Sequence, residues 1–247
     1  MRGIDVTEQG RLLIVEPGAG VTSLLAPQAL HDLSALCDAL ATEERVLVVV
    51  LFGGAEATGR IDTTGDHGAH DALTKSATLL ANTPHVTISA LARDCFDEEL
   101  CLAIACDLRV AASEVRIGFP GIAAGVVPDE MTIRRLTTMV GRSRVSDLLF
   151  TGRTITGTTA AEWGLVEEAA DGETAIGRAK AVAQVISDGA PLAMRYAKES
   201  VDRGYQMRLE DGLGLEGDLY AILQTTADRR EGIDAFHARR APRYIGE

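Results

Sequence analysis

Three strand-like runs constrain the fold of this chain more than any other feature of its sequence. Residues 46–52 and 86–91 are continuous runs rich in β-branched and apolar side chains, and residues 108–112 form a third run. A strand without polar alternation is typical of a parallel sheet, in which both faces are covered. Residues 27–40, with apolar residues at helical spacing, and residues 70–82 are predicted helices that alternate with a strand at 11–15 and the first two runs. The order strand, helix, strand, helix, strand predicts an α/β fold with partly parallel pairing.

The rest of the chain continues this pattern and then becomes mostly helical. Residues 165–166 are predicted as a short strand after a helix that Gly164 ends. We expect a core of residues 1–190 and a helical C-terminal region of residues 191–247, because no linker separates two independent domains. The other predicted elements are helices at 131–140, 143–150, 158–163, 175–187, 192–203, 213–225 and 232–239.

Composition and charge exclude several classes of function. The formal net charge of −12 argues against binding the phosphate backbone of a nucleic acid, which needs a basic surface. No apolar run approaches the roughly 18 residues of a membrane-spanning helix, and the N-terminus lacks the apolar region of a signal peptide. The cysteines lack zinc-site spacing, and no nucleotide-phosphate loop is present. We therefore expect a cytoplasmic protein with reduced thiols, no metal, and no nucleic-acid or membrane partner.

An acidic cluster stands directly before a short apolar segment at residues 100–106. Asp97, Glu98 and Glu99 are typical of a helix start, where each carboxylate is favourable by roughly 0.3–1 kcal/mol. One interpretation is structural: Asp97 caps the helix, and the two glutamates interact with its dipole. Cys101 also has two interpretations. It is either a packing residue of the apolar segment or a nucleophile activated near a helix N-terminus.

Four stretches of the chain resemble the crotonase superfamily, the enoyl-CoA hydratases and isomerases. They are residues 105–113 (ACDLRVAAS), 118–128 (GFPGIAAGVVP), 141–168 and 225–247, in the family's order and spacing. The resemblance implies a spiral of ββα units and a helical region that forms homotrimers, often paired into hexamers. It implies a small-molecule substrate, usually an acyl-CoA or carrier-bound thioester, and no cofactor. Two backbone N–H groups of the family hold the thioester oxygen as it becomes an enolate, and they fall near Gly59-Arg60 and near Glu98.

The chain departs from the family at the positions that carry its chemistry. The family's Gly-Gly-Gly before the central helix is Asp97-Glu98-Glu99 here. The family's two acid–base glutamates align with Cys101 and Gly121. Because a hydratase places those two carboxylates around one water, we expect simple hydration of an enoyl-CoA to be poor.

One carboxylate remains at a position that the resemblance links to chemistry. Asp129 stands where members that resemble the dienoyl-CoA isomerases and 4-chlorobenzoyl-CoA dehalogenase carry an aspartate, which serves as a proton-transfer base or a nucleophile. The structural alternative is a plain N-cap, with Thr132 at the third helical position. Glu130 either shares a proton with Asp129 or points into solvent. If Asp129 and Glu98 lie close together in a dry pocket, the negative charge of one would keep the other protonated, so that it could act as an acid. A reaction rate that does not change between about pH 5 and 9 would contradict this hypothesis.

Basic residues near these positions have open interpretations. Arg60 either brings positive charge to an anionic group, pairs with Glu98, or is solvated. His67 and His70 lie either at the lip of a pocket or on the surface, and His85 is predicted to be structural. The C-terminal arginines that could meet CoA phosphates across a subunit boundary are Arg239, Arg240 and Arg243.

Three functions remain open at this point. The first is proton transfer (an isomerase, dehydratase or related lyase) on an acyl thioester, carried by Asp129. The second is a carbon–carbon hydrolase or cyclase that does not bind CoA, which the loss of Gly-Gly-Gly favours. The third is a non-catalytic partner subunit, which the loss of both glutamates favours.

Overall fold

A largely parallel sheet and the helices that cover it make up the described chain. The computed structural model describes residues 3–43, 48–52, 67–171 and 174–247. The strands are β1 (Ile4–Gln9), β2 (Leu12–Pro17), β3 (Val48–Phe52), β4 (Val86–Leu91), β5 (Cys95–Phe96), β6 (Leu108–Ala112), β7 (Arg116–Gly118), β8 (Thr154–Thr156) and β9 (Glu168–Ala170). The helices are α1 (Pro27–Leu40), α2 (His67–Asn82), α3 (Asp97–Ala105), α4 (Glu130–Val140), α5 (Arg142–Thr151), α6 (Gly157–Trp163), α7 (Thr174–Ser187), α8 (Pro191–Glu199), α9 (Leu209–Leu223) and α10 (Ala227–Ala238), with a 3₁₀-helix at Pro120–Ala124 and a π-helix at Ser200–Gly204.

The strands divide between two sheets. Within the described residues, the larger sheet has the order β1-β2-β3-β4-β6-β9, and the smaller has the order β5-β7-β8. Neighbours in the larger sheet are parallel except for β1 and β2. Successive strands alternate between the sheets before each helix: β4 and β5 precede α3, and β6 and β7 precede the 3₁₀-helix. This repetition is the ββα spiral that the resemblance implies, and the predicted α/β fold class is confirmed.

Strand β2 shows how the larger sheet is covered on both faces. Leu12 and Ile14 belong to one buried apolar cluster, and Leu13 and Val15 belong to a second. Successive side chains of a strand point to opposite faces, so the two clusters lie on the two sides of the sheet. Helix α7 covers the first face with three fully buried alanines at four-residue spacing, and helices α1 and α2 cover the second face. The three alanines are Ala175, Ala179 and Ala183.

Most predicted elements occur where the sequence placed them, but one strand was misplaced, and several strands and helix ends were not predicted. Helix α1 and strands β4 and β6 have the predicted bounds. The predicted strand at 165–166 is wrong, because Leu165 and Val166 are buried core residues of a turn after Gly164, and the strand lies at Glu168–Ala170. Strand β1 was not predicted, since only its first side chain is buried and the others show no apolar alternation.

The C-terminal region is mostly helical, as predicted. The predicted helix at 192–203 is α8 followed by the π-helix. No helix in the described ranges is both long enough and apolar enough to cross a membrane. The division of the chain between residues 190 and 191 stays a prediction.

Candidate active site

The start of α3 has an unusual backbone conformation. Strand β5 leads directly into the helix, and Phe96 is the N-cap residue without a capping side-chain hydrogen bond. Asp97 follows with a φ of 47°. The left-handed region costs an L-residue roughly 1–2 kcal/mol, and aspartate tolerates it better than most residues. The chain therefore has a backbone here that suits glycine while carrying a carboxylate.

The prediction that Asp97 caps α3 is wrong. Its side chain accepts a hydrogen bond from the backbone N–H of Gly121, with a distance of 2.8 Å between N and Oδ1. Both residues are buried. The carboxylate therefore joins the first turn of α3 to the 3₁₀-helix instead of satisfying the helix start.

Glu99 turns to the side and forms an ion pair with Arg93. The guanidinium donates to both carboxylate oxygens, and the distance from Nη1 to Oε2 is 2.9 Å. Burial raises the pKa of Glu99, and the hydrogen bond from Arg93 opposes that shift. Glu99 thus has a structural partner and does not line the cavity described below.

Asp129 is the N-cap of α4, as one interpretation predicted. Its Oδ1 accepts from the Thr132 backbone N–H at 2.9 Å, and its Oδ2 accepts from the Thr132 hydroxyl at 2.9 Å. Thr132 is buried, and Asp129 is half-buried. The cap fixes the orientation of the Asp129 carboxylate, so a structural role and a chemical role are compatible.

A small cavity brings several of the predicted site residues together. Its volume is about 40 Å³, which is enough for a few water molecules. Helix α2, the first turns of α3 and the segment before α4 enclose it. The exposed side chains of His70 and Val127 mark its opening to solvent. The lining residues are His70, Leu73, Asp97, Glu98, Cys101, Phe119, Val126, Val127, Pro128 and Asp129.

The structure places the other predicted site residues as follows. Glu130 is exposed and does not line this cavity, so the geometry gives no support for its sharing a proton there. Gly121 lies behind Asp97, whose carboxylate separates it from the cavity. Gly59 and Arg60 lie outside the described residues.

Cys101 lines the cavity but has the chemistry of a packing residue. Burial, together with the negative charges of Asp129, Glu98 and Asp97, raises the pKa of its thiol to about 12, although the hydrogen bond with Thr132 acts to lower it. A thiol with that pKa is protonated at neutral pH and is a poor nucleophile. The geometry therefore supports the packing interpretation of Cys101.

The described histidines divide between the cavity and the core. His70 stands at the rim of the cavity, as one interpretation predicted. His85 is fully buried, and its Nε2 lies 2.9 Å from the Leu40 carbonyl oxygen, so its structural role is confirmed. The side chain of His67 is outside the described part. Within the described ranges, no three His, Cys, Asp or Glu side chains are arranged to hold a metal ion.

Sequence comparison decides which family this fold and cavity belong to. A sequence model of the enoyl-CoA hydratase/isomerase family matches residues 23–247. The chain is a member of the enoyl-CoA hydratase/isomerase family.

Individual members of the family support this assignment over different lengths. The chain is 39% identical over 174 residues to the mitochondrial enoyl-CoA hydratase domain-containing protein 2 of Bos taurus. The matched region covers 69% of this chain and 59% of that protein. It is 30% identical over 232 residues to YngF of Bacillus subtilis, which is named after the same family, covering 90% of this chain and 89% of YngF. The chain thus spans about three fifths of the length of the first relative.

A solved enoyl-CoA hydratase from Bacillus anthracis has the same fold. The TM-score is 0.90 at 27% identity, and the superposition covers 99% of this chain and 100% of that structure. The crotonase fold of this family is therefore shown for the described chain.

Asp97 lines the cavity, although the sequence predicted only a capping role for it. A signal was present, because the resemblance places a glycine of the family where this chain carries a carboxylate. That substitution indicates a left-handed backbone, in which the side chain cannot adopt the usual capping geometry.

Proposed function

We propose that this family member catalyses proton transfer at carbon next to the carbonyl group of an acyl thioester, as an isomerase, dehydratase or related lyase. The proposal rests on two carboxylates that line one cavity at the start of α3. One is Asp129, and the other is a buried carboxylate. Glu98 is the sequence-based choice for that second carboxylate. Family membership supports the substrate class.

Asp129 takes the principal part in this proposal. Its cap bonds to Thr132 hold the carboxylate at the cavity, where it takes the proton from the substrate carbon. The electron pair of the broken C–H bond moves onto the thioester oxygen. Backbone N–H groups of the first turn of α3 would stabilise that oxygen, because the first N–H groups of a helix have no partner within the helix.

Measurements with a panel of thioesters test the proposal. The purified protein is mixed with CoA, butyryl-CoA, crotonyl-CoA and 3-butenoyl-CoA, and the melting temperature is compared with that of the protein alone. Binding to the native state raises it by mass action. Mass spectrometry in D₂O then follows deuterium incorporation into the acyl chain. We expect a thermal shift with a thioester and exchange that Asp129→Asn abolishes.

A specific observation favours a second candidate, a carbon–carbon hydrolase or cyclase that does not bind CoA. Buried Glu98 replaces a glycine of the family beside the cavity and reduces the clearance for a thioester. The absence of a thermal shift with every thioester of the panel would refute the first proposal and favour this one. A non-catalytic role is the outcome if neither class of substrate reacts.

We also propose a homotrimer, or a hexamer of two trimers, assembled through the helical C-terminal region. Residues 191–247 expose many large apolar side chains, which is typical of an interaction surface. Light scattering after size-exclusion chromatography tests this, since a trimer has three times the chain mass of 26.2 kDa. A cytoplasmic location stays a prediction. The exposed apolar residues are Val201, Tyr205, Met207, Leu209, Leu213, Tyr220, Ile222, Ile233, Phe236 and Ile245.

A further inference from the structure

The carboxylate of Asp97 occupies the place where a side chain at position 121 would begin. A Cβ atom built on Gly121 would lie 2.7 Å from Oδ1, 2.8 Å from Cγ and 2.9 Å from Oδ2 of Asp97. All three distances are shorter than van der Waals contact. A side chain at position 121 and this placement of the Asp97 carboxylate therefore exclude each other.

This exclusion matters because an acid–base glutamate of the family aligns with position 121. The chain has lost a carboxylate at position 121 and carries another in the adjoining space, supplied from α3. Asp97 is 4% exposed and lines the same cavity as Asp129. We propose that Asp97 is the second acid–base group of this site and works opposite Asp129. The inference rests on the proposed function and names Asp97, not Glu98, as the partner of Asp129.

Proton transfer through this pair balances as follows. Asp129 removes a proton from the substrate carbon, and the electron pair of that C–H bond moves onto the thioester oxygen. In a 3-enoyl thioester such as 3-butenoyl-CoA, the enolate is conjugated with the C3=C4 double bond. Protonated Asp97 then gives its proton to C4, and the electron pair returns from the oxygen as the double bond moves to C2=C3, which forms the new C–H bond. The cycle closes when Asp129 passes its proton to Asp97 through water in the cavity, so no further reactant is needed.

The surroundings of Asp97 favour one shared proton. The titratable described groups that line the cavity with it are His70 from α2, Glu98 and Cys101 from α3, and Asp129 before α4. The negative charges of all three carboxylates raise the pKa of Cys101, so each lies within electrostatic range of that thiol. Like charges that line so small a cavity oppose one another's ionisation.

Two variants of Asp97 separate its chemistry from its structural bond. Asp97→Asn keeps an oxygen that can accept from the Gly121 N–H. Asp97→Gly suits the left-handed backbone and, combined with Gly121→Glu, returns the carboxylate to position 121. Asp94→Asn is the matched control, because Asp94 pairs with Arg116 and does not line the cavity.

Deuterium exchange at the terminal carbon of 3-butenoyl-CoA, its pH profile and the thioester-induced thermal shift are measured for each protein. Exchange at that carbon reports on the proton from Asp97, because exchange at the carbon next to the carbonyl needs Asp129 alone. We expect Asp97→Asn to lose at least about 100-fold in exchange rate, to lose one limb of the pH profile and to keep the thermal shift. The double variant is expected to recover at least tenfold over Asp97→Gly, and Asp94→Asn to stay within about threefold of wild type.

Three results would overturn the inference. Exchange that is lost in Asp129→Asn but kept in Asp97→Asn would refute it and leave the proposed function standing. If Asp97→Asn loses both the exchange and the thermal shift, and the double variant Asp97→Gly with Gly121→Glu recovers neither, the role of Asp97 is structural only. No exchange at either carbon by the wild-type protein would refute the proposed function, and this inference with it.

Discussion

Asp129 provides a test that separates a helix cap from an acid–base group. Asp129→Ala removes both hydrogen bonds to buried Thr132. Loss of an N-cap costs about 1 kcal/mol, and the buried hydroxyl that loses its acceptor costs about 1 kcal/mol more. For a chain of this size, about 2 kcal/mol lowers the melting temperature by roughly 4–8 °C. Asp129→Asn can still cap the helix and should stay within about 0.5 kcal/mol of wild type.

A matched control comes from a second helix cap outside the cavity. The Thr156 hydroxyl caps α6 by accepting from the Thr159 N–H at 3.2 Å, and Thr156→Ala should cost about 1 kcal/mol. Thermal unfolding and the deuterium-exchange assay are run on all three variants. We expect Asp129→Asn to be stable with exchange reduced at least about 100-fold, and Thr156→Ala to be less stable but active. Full activity of Asp129→Asn, or activity that follows stability in all variants, would refute the reasoning.

Three further predictions concern the fold and its titratable groups. The side chain of Arg109 is 3% exposed and donates to the Leu165 and Cys106 carbonyls at 2.7 Å and to Glu167, whose side chain is 41% exposed. Arg109→Met should therefore lower the free energy of unfolding in urea by about 3–5 kcal/mol, and Glu167→Gln by at most about 1 kcal/mol. Equal losses in the two variants would contradict this. All four cysteines are buried, and the pKa of Cys101 is raised to about 12. A thiol reagent at pH 8 should therefore modify no cysteine in the native protein and all four cysteines after unfolding. The raised pKa of Glu99 means that the native state holds this proton more tightly than the unfolded state does. The stability of the wild-type protein relative to Glu99→Gln should therefore fall as the pH rises above 4.5, the usual pKa of a glutamate. A wild-type advantage in unfolding free energy that grows with pH would contradict this.

Local patterns determined much of the fold. Helical spacing gave the bounds of α1, and apolar runs gave the bounds of β4 and β6. A run covered on both faces has few alternative structures, so it is readable without the rest of the chain. Strand β1 and the strand at 168–170 carry no such pattern, because their pairing partners, not their own side chains, hold them in place.

The candidate site was predictable in part for a related reason. The cap of α4 depends on residues three positions apart, and Asp129 and Thr132 were both identified from the sequence. The same local reasoning gave the wrong partner for Asp97, since the backbone at the β5–α3 junction turns its side chain away from the helix.

The sequence by itself determined the fold class and the family resemblance. Only the tertiary structure decided where the remaining carboxylates meet. Asp97 and Gly121 are 24 residues apart and belong to different turns of the spiral. Capping and periodicity act over about four residues, whereas a carboxylate that fills the space of a distant side chain is set by how those turns pack together.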